Sequence, residues 1–279
     1  MNRQRPMRIV AVLLAGIVLF LLFLYLFLPM DRVTAALDGV LSQQGVRLTP
    51  APRKSFLPGI NWDQPTLSSD QGALLRADRL AVAPAWGSLL SGSLALSTAM
   101  QVKNGTLDLL TGVTGRTAFK LAINKLSLAD IPFFTTVLGA RAGGLLWSEG
   151  VINRTKTGLN GELKLEVQKL ELSGVKLGAF PLPDVSGLTA QGMVRVADGK
   201  GKLESLTLQG EGIYMRLSGN LPSGANAATA PLDLMLEIMP KPEFLEKQKL
   251  VFMLLIKFMS SPGVYRIPVR GTLLKPVII

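Results

Sequence analysis

The spacing of apolar residues changes three times along this chain. From Ile9 to Leu28 it is continuous, twenty uncharged and overwhelmingly apolar residues. From Asp31 to about Gln44 it becomes helical, with Val33, Leu37, Val40 and Leu41 on one face. Pro50, Pro52, Pro58 and Pro65 then predict a stiff, irregular link. Beyond it the period falls to two. In Leu94–Lys103 the even positions hold the larger apolar groups, and Asn104-Gly105 is a hairpin signal before Leu107 and Leu109 resume the alternation.

The same alternation recurs at Phe119, Leu121 and Ile123, and at Leu163, Leu165 and Val167. Gln168-Lys169 breaks phase before Leu170 and Leu172, as a β-bulge does. Further strands are predicted at Met193–Ala197, Leu203–Gln209, Ile213–Ser218, Leu232–Ile238 and Tyr265–Leu273. One apolar and one polar face predict antiparallel sheet wetted on one side. A loose cadence of strand groups points to a long, twisted sheet more than a compact barrel. Three segments read as helical instead: Trp86–Leu90, Ala129–Val137 and Pro242–Met259. The last is apolar from Leu250 to Ile256 and flanked by Lys247, Lys249 and Lys257. It is either packed on or plugging the sheet, or an interfacial helix whose lysines meet anionic headgroups, with Phe252 and Leu255 on its apolar side.

At about 1.5 Å rise per residue, the first run spans the roughly 30 Å hydrocarbon core of a bilayer. Ile9, Val12, Leu14, Ile17, Leu19, Leu22, Leu24 and Leu28 would face lipid. A cleavable signal has a shorter core and a small-residue cleavage site; here Pro29-Met30-Asp31-Arg32 follows directly, so the expectation is an uncleaved anchor. Arg3, Arg5 and Arg8 precede it without an acidic residue, which keeps residues 1–8 cytoplasmic and everything beyond the span outside, in a bacterium the periplasm. The expected organisation is therefore a tail at 1–8, a span at 9–28, a juxtamembrane helix and proline-rich link at 29–65, and a mainly β domain at 66–279, an elongated antiparallel sheet with a few short helices.

Charge and composition narrow the partners and the chemistry. The formal charge is +11, and removing the three cytoplasmic arginines leaves +8 on the exported part. That balance suits phospholipid headgroups, lipid A phosphates or acidic protein surfaces, or simply keeps a β-rich domain soluble. Basic residues scattered along strands of an exported chain argue against nucleic acid. The chain has no cysteine and no histidine, which excludes disulfides, thiol catalysis, Ser-His-Asp and Cys-His machinery and the commonest zinc ligand. Paired carboxylates or a Ser-Lys dyad remain; the carboxylates include Asp108, Asp130, Glu162, Glu166, Asp184, Asp198, Glu204, Glu211, Asp233 and Glu237, but most fall on polar strand positions or in turns. Lys164 separates Glu162 from Glu166. Asp198-Gly199-Lys200-Gly201-Lys202 has no helix after it to cradle phosphate and reads as a hairpin turn. No catalytic residue, cofactor or metal site is expected, and the chain is not read as an enzyme.

Two stretches carry a resemblance. Ala77-Asp78-Arg79-Leu80-Ala81-Val82-Ala83-Pro84-Ala85-Trp86-Gly87-Ser88-Leu89-Leu90-Ser91-Gly92 resembles the strand, turn and short helix of AsmA-like periplasmic proteins and of the type II secretion system protein N family. Pro231–Leu234 through Lys241-Pro242, the lysine-flanked helix, and Arg266-Ile267-Pro268-Val269-Arg270-Gly271-Thr272-Leu273 resemble the C-terminal end of that secretion family, with a Gly-Thr-Leu-x-x-Pro pattern from Gly271 to Pro276. The resemblance implies a single-pass inner-membrane protein acting in protein transport, an accessory scaffold for other secretion subunits that offers its sheet edges for strand addition. It carries over no catalytic residues. The alternative it raises is lipid handling, as in AsmA-like or lipopolysaccharide-export groove proteins. Leu94, Leu96, Met100, Phe119, Leu121, Leu163 and Leu165 would then line a groove for acyl chains; otherwise they form an ordinary closed core.

Overall fold

The computed structural model describes residues 30–55, 58–178, 180–222 and 227–278. The apolar run and the three N-terminal arginines lie outside these residues. Among the described residues no helix is long and apolar enough to cross a membrane.

A helix at Met30–Gln43 leads into β1 (Val46–Thr49), β2 (Arg53–Lys54), β3 (Ile60–Asp63), β4 (Thr66–Ser69), β5 (Gly72–Arg76) and β6 (Arg79–Pro84). After a short helix at Trp86–Leu90 come β7 (Ala95–Val102), β8 (Gly105–Gly112) and β9 (Thr117–Ser127). A 3-10 turn at Leu128–Asp130 and a helix at Phe133–Val137 precede β10 (Arg141–Thr155), β11 (Gly158–Ser173), β12 (Lys176–Leu177), β13 (Phe180–Pro181), β14 (Val185–Ala197), β15 (Lys200–Gly210), β16 (Ile213–Leu221) and β17 (Asp233–Pro240). Helices at Pro242–Lys247 and Lys249–Leu254, a 3-10 turn at Ile256–Phe258, and β18 (Met259–Ser261), β19 (Val264–Thr272) and β20 (Lys275–Ile278) complete the chain.

Fifteen strands form one antiparallel sheet in the order β2-β3-β6-β7-β8-β9-β10-β11-β14-β15-β16-β17-β19, with β18 and β20 both pairing β19. The sheet is a meander: most neighbours in space are neighbours in sequence, as short hairpin connections require. β1, β4 and β5 form a separate three-stranded sheet, and β12 pairs β13. The described residues are mainly β, with a large antiparallel sheet and few helices, which is the coarse architecture expected.

Local chemistry explains most strand ends and bends. The hairpin between β7 and β8 turns on Lys103-Asn104, one residue earlier than Asn104-Gly105, because Val102 pairs with Gly105. Gly105 is needed in the strand instead: a Cβ there would lie 2.7 Å from the Leu126 Cα. The turn at Asp198-Gly199 forms as expected, both residues having positive φ. So does the bulge at Gln168-Lys169, where Lys169 has φ 52° and the register skips from Val167 to Leu170. A second bulge at Lys125, φ 51°, stands on the other side of β10. Bulges flanking one central strand sharpen the twist there.

Three expectations are corrected. The link before residue 66 is not wholly irregular: β1 precedes its prolines, β2 and β3 run between them, and Trp62 of β3, paired with Leu80 of β6, is buried. The strand expected at Met193–Ala197 is the second half of β14, whose first half holds Gly187, Ala190 and Gly192 and so shows little alternation. The single helix expected over Pro242–Met259 is broken at Gln248, φ −120° and ψ 32°. There the side-chain amide is held by Asp184: Nε2 donates to its carbonyl at 2.6 Å and Oε1 accepts from its N–H at 2.9 Å.

The main core lies against the C-terminal strands. Met215, Ile238, Tyr265 and Ile267 are buried on one face of β16, β17 and β19, beneath Phe252 and Leu255 from the broken helix. The β12–β13 hairpin lies against β20, so the end of the sheet meets an excursion that leaves it several strands earlier. Thr136 Oγ1 donates to the Ala73 carbonyl of the small sheet at 2.6 Å, and the Ala228 N–H donates at 3.0 Å to Oε1 of Gln44, in the turn before β1.

Candidate functional site: an uncovered apolar sheet face

Register assigns every strand residue to a face, because side chains alternate along each strand. Leu96 pairs with Thr111, Thr111 with Phe119, and Phe119 with Ile152, so these share one face. One pair further along the strands, Leu109, Leu121, Gly150 and Leu163 form the next row. Met100, Leu107, Ile123, Ser148 and Leu165 form a third. The apolar phase read from sequence is thus one continuous surface.

That surface is covered unevenly. Toward the C-terminal strands it is the buried core. Across β7 to β11, Met100, Leu121, Leu163 and Leu165 are only half-buried, while Leu96 and Phe119 are 41 % and 37 % exposed. Leu94, just before β7, is exposed as well. Of these seven residues Met100 packs against a small buried cluster of Ala77, Val102 and Leu126, whereas Leu94, Leu96 and Phe119 are exposed. The helices that would cover the face are spent on the other end of the sheet, where Phe244, Leu245, Phe252 and Leu255 pack.

The exposed surface continues past the strand ends. Trp86, Leu89 and Val113 are all exposed there. Their placement is set by backbone bonds: Ala85 N–H to the Ala95 carbonyl at 2.9 Å, and Val113 N–H to that of Leu94 at 2.8 Å. Sequence reasoning found the Trp86 turn but did not connect it to Leu96 and Phe119, since only pairing joins them. Two exposed arginines stand at this end too, where the Arg154 N–H donates to the Arg116 carbonyl at 2.6 Å and Arg154 Nη2 to that of Gly112 at 2.7 Å.

The opposite face is polar and laced with ion pairs. Arg195 bridges Glu162 at 3.1 Å and Glu204 at 3.0 Å, and Arg266 holds Glu237 at 2.9 Å. Arg270 pairs with Asp233 and Lys103 with Asp130. Asp184 accepts the Gly174 N–H at 2.7 Å, and Glu166 accepts from Gln168 at 2.8 Å. The carboxylates singled out above are thus largely engaged by cations or amides, and Glu162 turns to Arg195 instead of Lys164. An open depression of about 570 Å³ crosses the middle of this face, lined by Trp147, Glu149, Lys164, Glu166, Gln191 and Thr207 among others. Among the described residues no group of three or more Asp or Glu side chains converges to hold a metal ion.

The interfacial-helix residues divide. Lys247, Lys249 and Lys257 are exposed, but Phe252 and Leu255 are buried against the sheet, so these two do not face a membrane. β2 is two residues, Arg53-Lys54, and β20 carries Lys275 and Pro276, features that block pairing with another chain. Comparison with family models, with curated proteins and with solved structures returned no match.

Proposed function

We propose that this chain is a non-enzymatic accessory subunit of the type II protein secretion system, held in the bacterial inner membrane by Ile9–Leu28 with its β domain in the periplasm. The observation that supports it best is the uncovered row Leu96, Thr111, Phe119 and Ile152, continued by Trp86 and Leu89. An exposed apolar patch of this kind is a contact surface for another molecule. Because the edge strands β2, β18 and β20 are two to four residues long, the contact is made through the face. The resemblance of residues 77–92 and 231–276 to the secretion protein N family points to other inner-membrane or periplasmic secretion subunits as the occupants.

Photo-crosslinking tests this reading. A benzophenone amino acid at Leu96 or Phe119, in cells carrying the secretion apparatus, is expected to capture another secretion subunit. The same probe at Asp108, on the polar face, is expected not to. Capture of none from either apolar position would sink the proposal.

A second reading has its own support. Arg116 and Arg154 stand at the same end of the strands as Phe119 and Ile152, so acyl chains on the apolar rows would bring anionic headgroups to two guanidinium groups. Phospholipid or lipopolysaccharide would then be the ligand. Native mass spectrometry of the purified full chain separates the readings, since retained lipid favours this one.

A further inference from the structure

The break at Gln248 gives the segment after it two unlike sides. Phe252 and Leu255 are 2 % and 0 % exposed, with Phe252 against Phe244 and Tyr265. Leu250, Met253, Leu254 and Ile256 are 79 %, 57 %, 56 % and 61 % exposed. Residues three and four apart share a helix face, so Leu250, Met253 and Leu254 project together, away from the core. Met259 extends the exposed surface into β18. This is the densest run of exposed large apolar side chains among the described residues, and the core does not use it.

Its charge surroundings identify what covers it. Lys247 and Lys249 precede the apolar projection and Lys257 follows it, all exposed. Lys257 Nζ is 4.5 Å from the Phe180 ring centroid and 4.6 Å from that of Phe258, two half-buried rings packed against the core. Glu243 and Glu246 are the acidic residues of the segment, both in the preceding helix. A protein interface depletes lysine around its apolar centre. Apolar side chains flanked by lysines match a bilayer surface, where the chains enter the acyl boundary and the ammonium groups meet phosphates.

We propose that Leu250–Met259 is a second membrane contact, docking on the anionic phospholipid surface. It rests on the tether reading only in that Ile9–Leu28 would keep that surface within reach. The sheet then meets the membrane through two points separated in sequence by β1 to β17, which restricts how its uncovered face is presented.

The absence of cysteine from the chain allows a single-thiol test. The full chain with Leu254→Cys, labelled with nitrobenzoxadiazole, is reconstituted into phosphatidylcholine vesicles with and without phosphatidylglycerol. The expected result is a blue shift and severalfold quenching by shallow nitroxide lipids only when phosphatidylglycerol is present. Changing Lys247, Lys249 and Lys257 to Glu should abolish it, and an Asp108→Cys label should stay aqueous throughout. A Leu254→Cys label that remains aqueous, responds equally without phosphatidylglycerol, or is shielded by a second copy of the chain without lipid quenching overturns the proposal. A Leu19→Cys label reports separately on the tether: if deep nitroxide lipids fail to quench it, that reading fails while the result at Leu254 stands.

Discussion

Gln248 and Asp184 are joined by two hydrogen bonds, Gln248 Nε2 to the Asp184 carbonyl at 2.6 Å and the Asp184 N–H to Gln248 Oε1 at 2.9 Å. The primary amide serves the backbone of Asp184 as a neighbouring strand would, and it does so where the two C-terminal helices part. The pair binds the loop before β14 to the helical cover of the core.

Gln248→Ala is expected to cost about 1–3 kcal/mol, the loss of two hydrogen bonds partly replaced by water. Gln248→Glu should cost at least as much, because a carboxylate cannot donate to the Asp184 carbonyl. Denaturant unfolding of the full chain in detergent measures both. A Gln248→Ala protein as stable as the parent would refute the role.

Phe252 tests the core directly. Its ring lies 5.2 Å from that of Tyr265 and 6.3 Å from that of Phe244. Phe252→Ala should lower stability by about 3–5 kcal/mol, while Leu250→Ser, two residues away and in solvent, should stay within about 0.5 kcal/mol. The contrast in unfolding midpoints checks which side of the helix faces inward.

Two glycines should respond with opposite signs. Gly105→Ala places a methyl 2.7 Å from a backbone atom of β9 and is expected to destabilise by about 1–3 kcal/mol. Gly39 lies inside the helix Met30–Gln43 with nothing within 4 Å of a Cβ, so Gly39→Ala should stabilise by about 0.5–1 kcal/mol. Thermal melts of the pair decide it; a destabilised Gly39→Ala would contradict the exposed helix.

Lys103 links stability to alkaline pH. Its hydrogen bond to Asp130, and then the charge of that carboxylate, raise its pKa above the ordinary 10.5. The folded state therefore holds the proton more tightly than the unfolded state. The contribution is complete below 10.5 and is lost as pH rises through the higher folded value. Lys103→Met should remove this component, flattening the pH dependence of unfolding in that range. An unchanged alkaline limb in the variant would exclude it.

Alternation made the strands legible wherever large apolar groups occupied every second position, as from Leu94 to Met100 and from Leu163 to Val167. It failed at Val185–Gly192, where small residues carry the same pairing. Lys169 betrayed its bulge by breaking phase, whereas Lys125 did not, and only the skipped register with β10 reveals it. The break at Gln248 was invisible for a related reason: its cause is a partner 64 positions away.

What the sequence determined by itself is local: which residues share a sheet face, where the hairpins turn, and that no histidine or cysteine serves any site. It also shows Ile9–Leu28 as an uncharged, overwhelmingly apolar run. Only the tertiary structure decided how the apolar face is covered, because coverage depends on where the few helices land. They bury the C-terminal rows with Phe252 and Leu255, and they leave Leu96 and Phe119 in solvent. The alternating pattern is identical in both places; the difference lies in long-range packing, which no local period encodes.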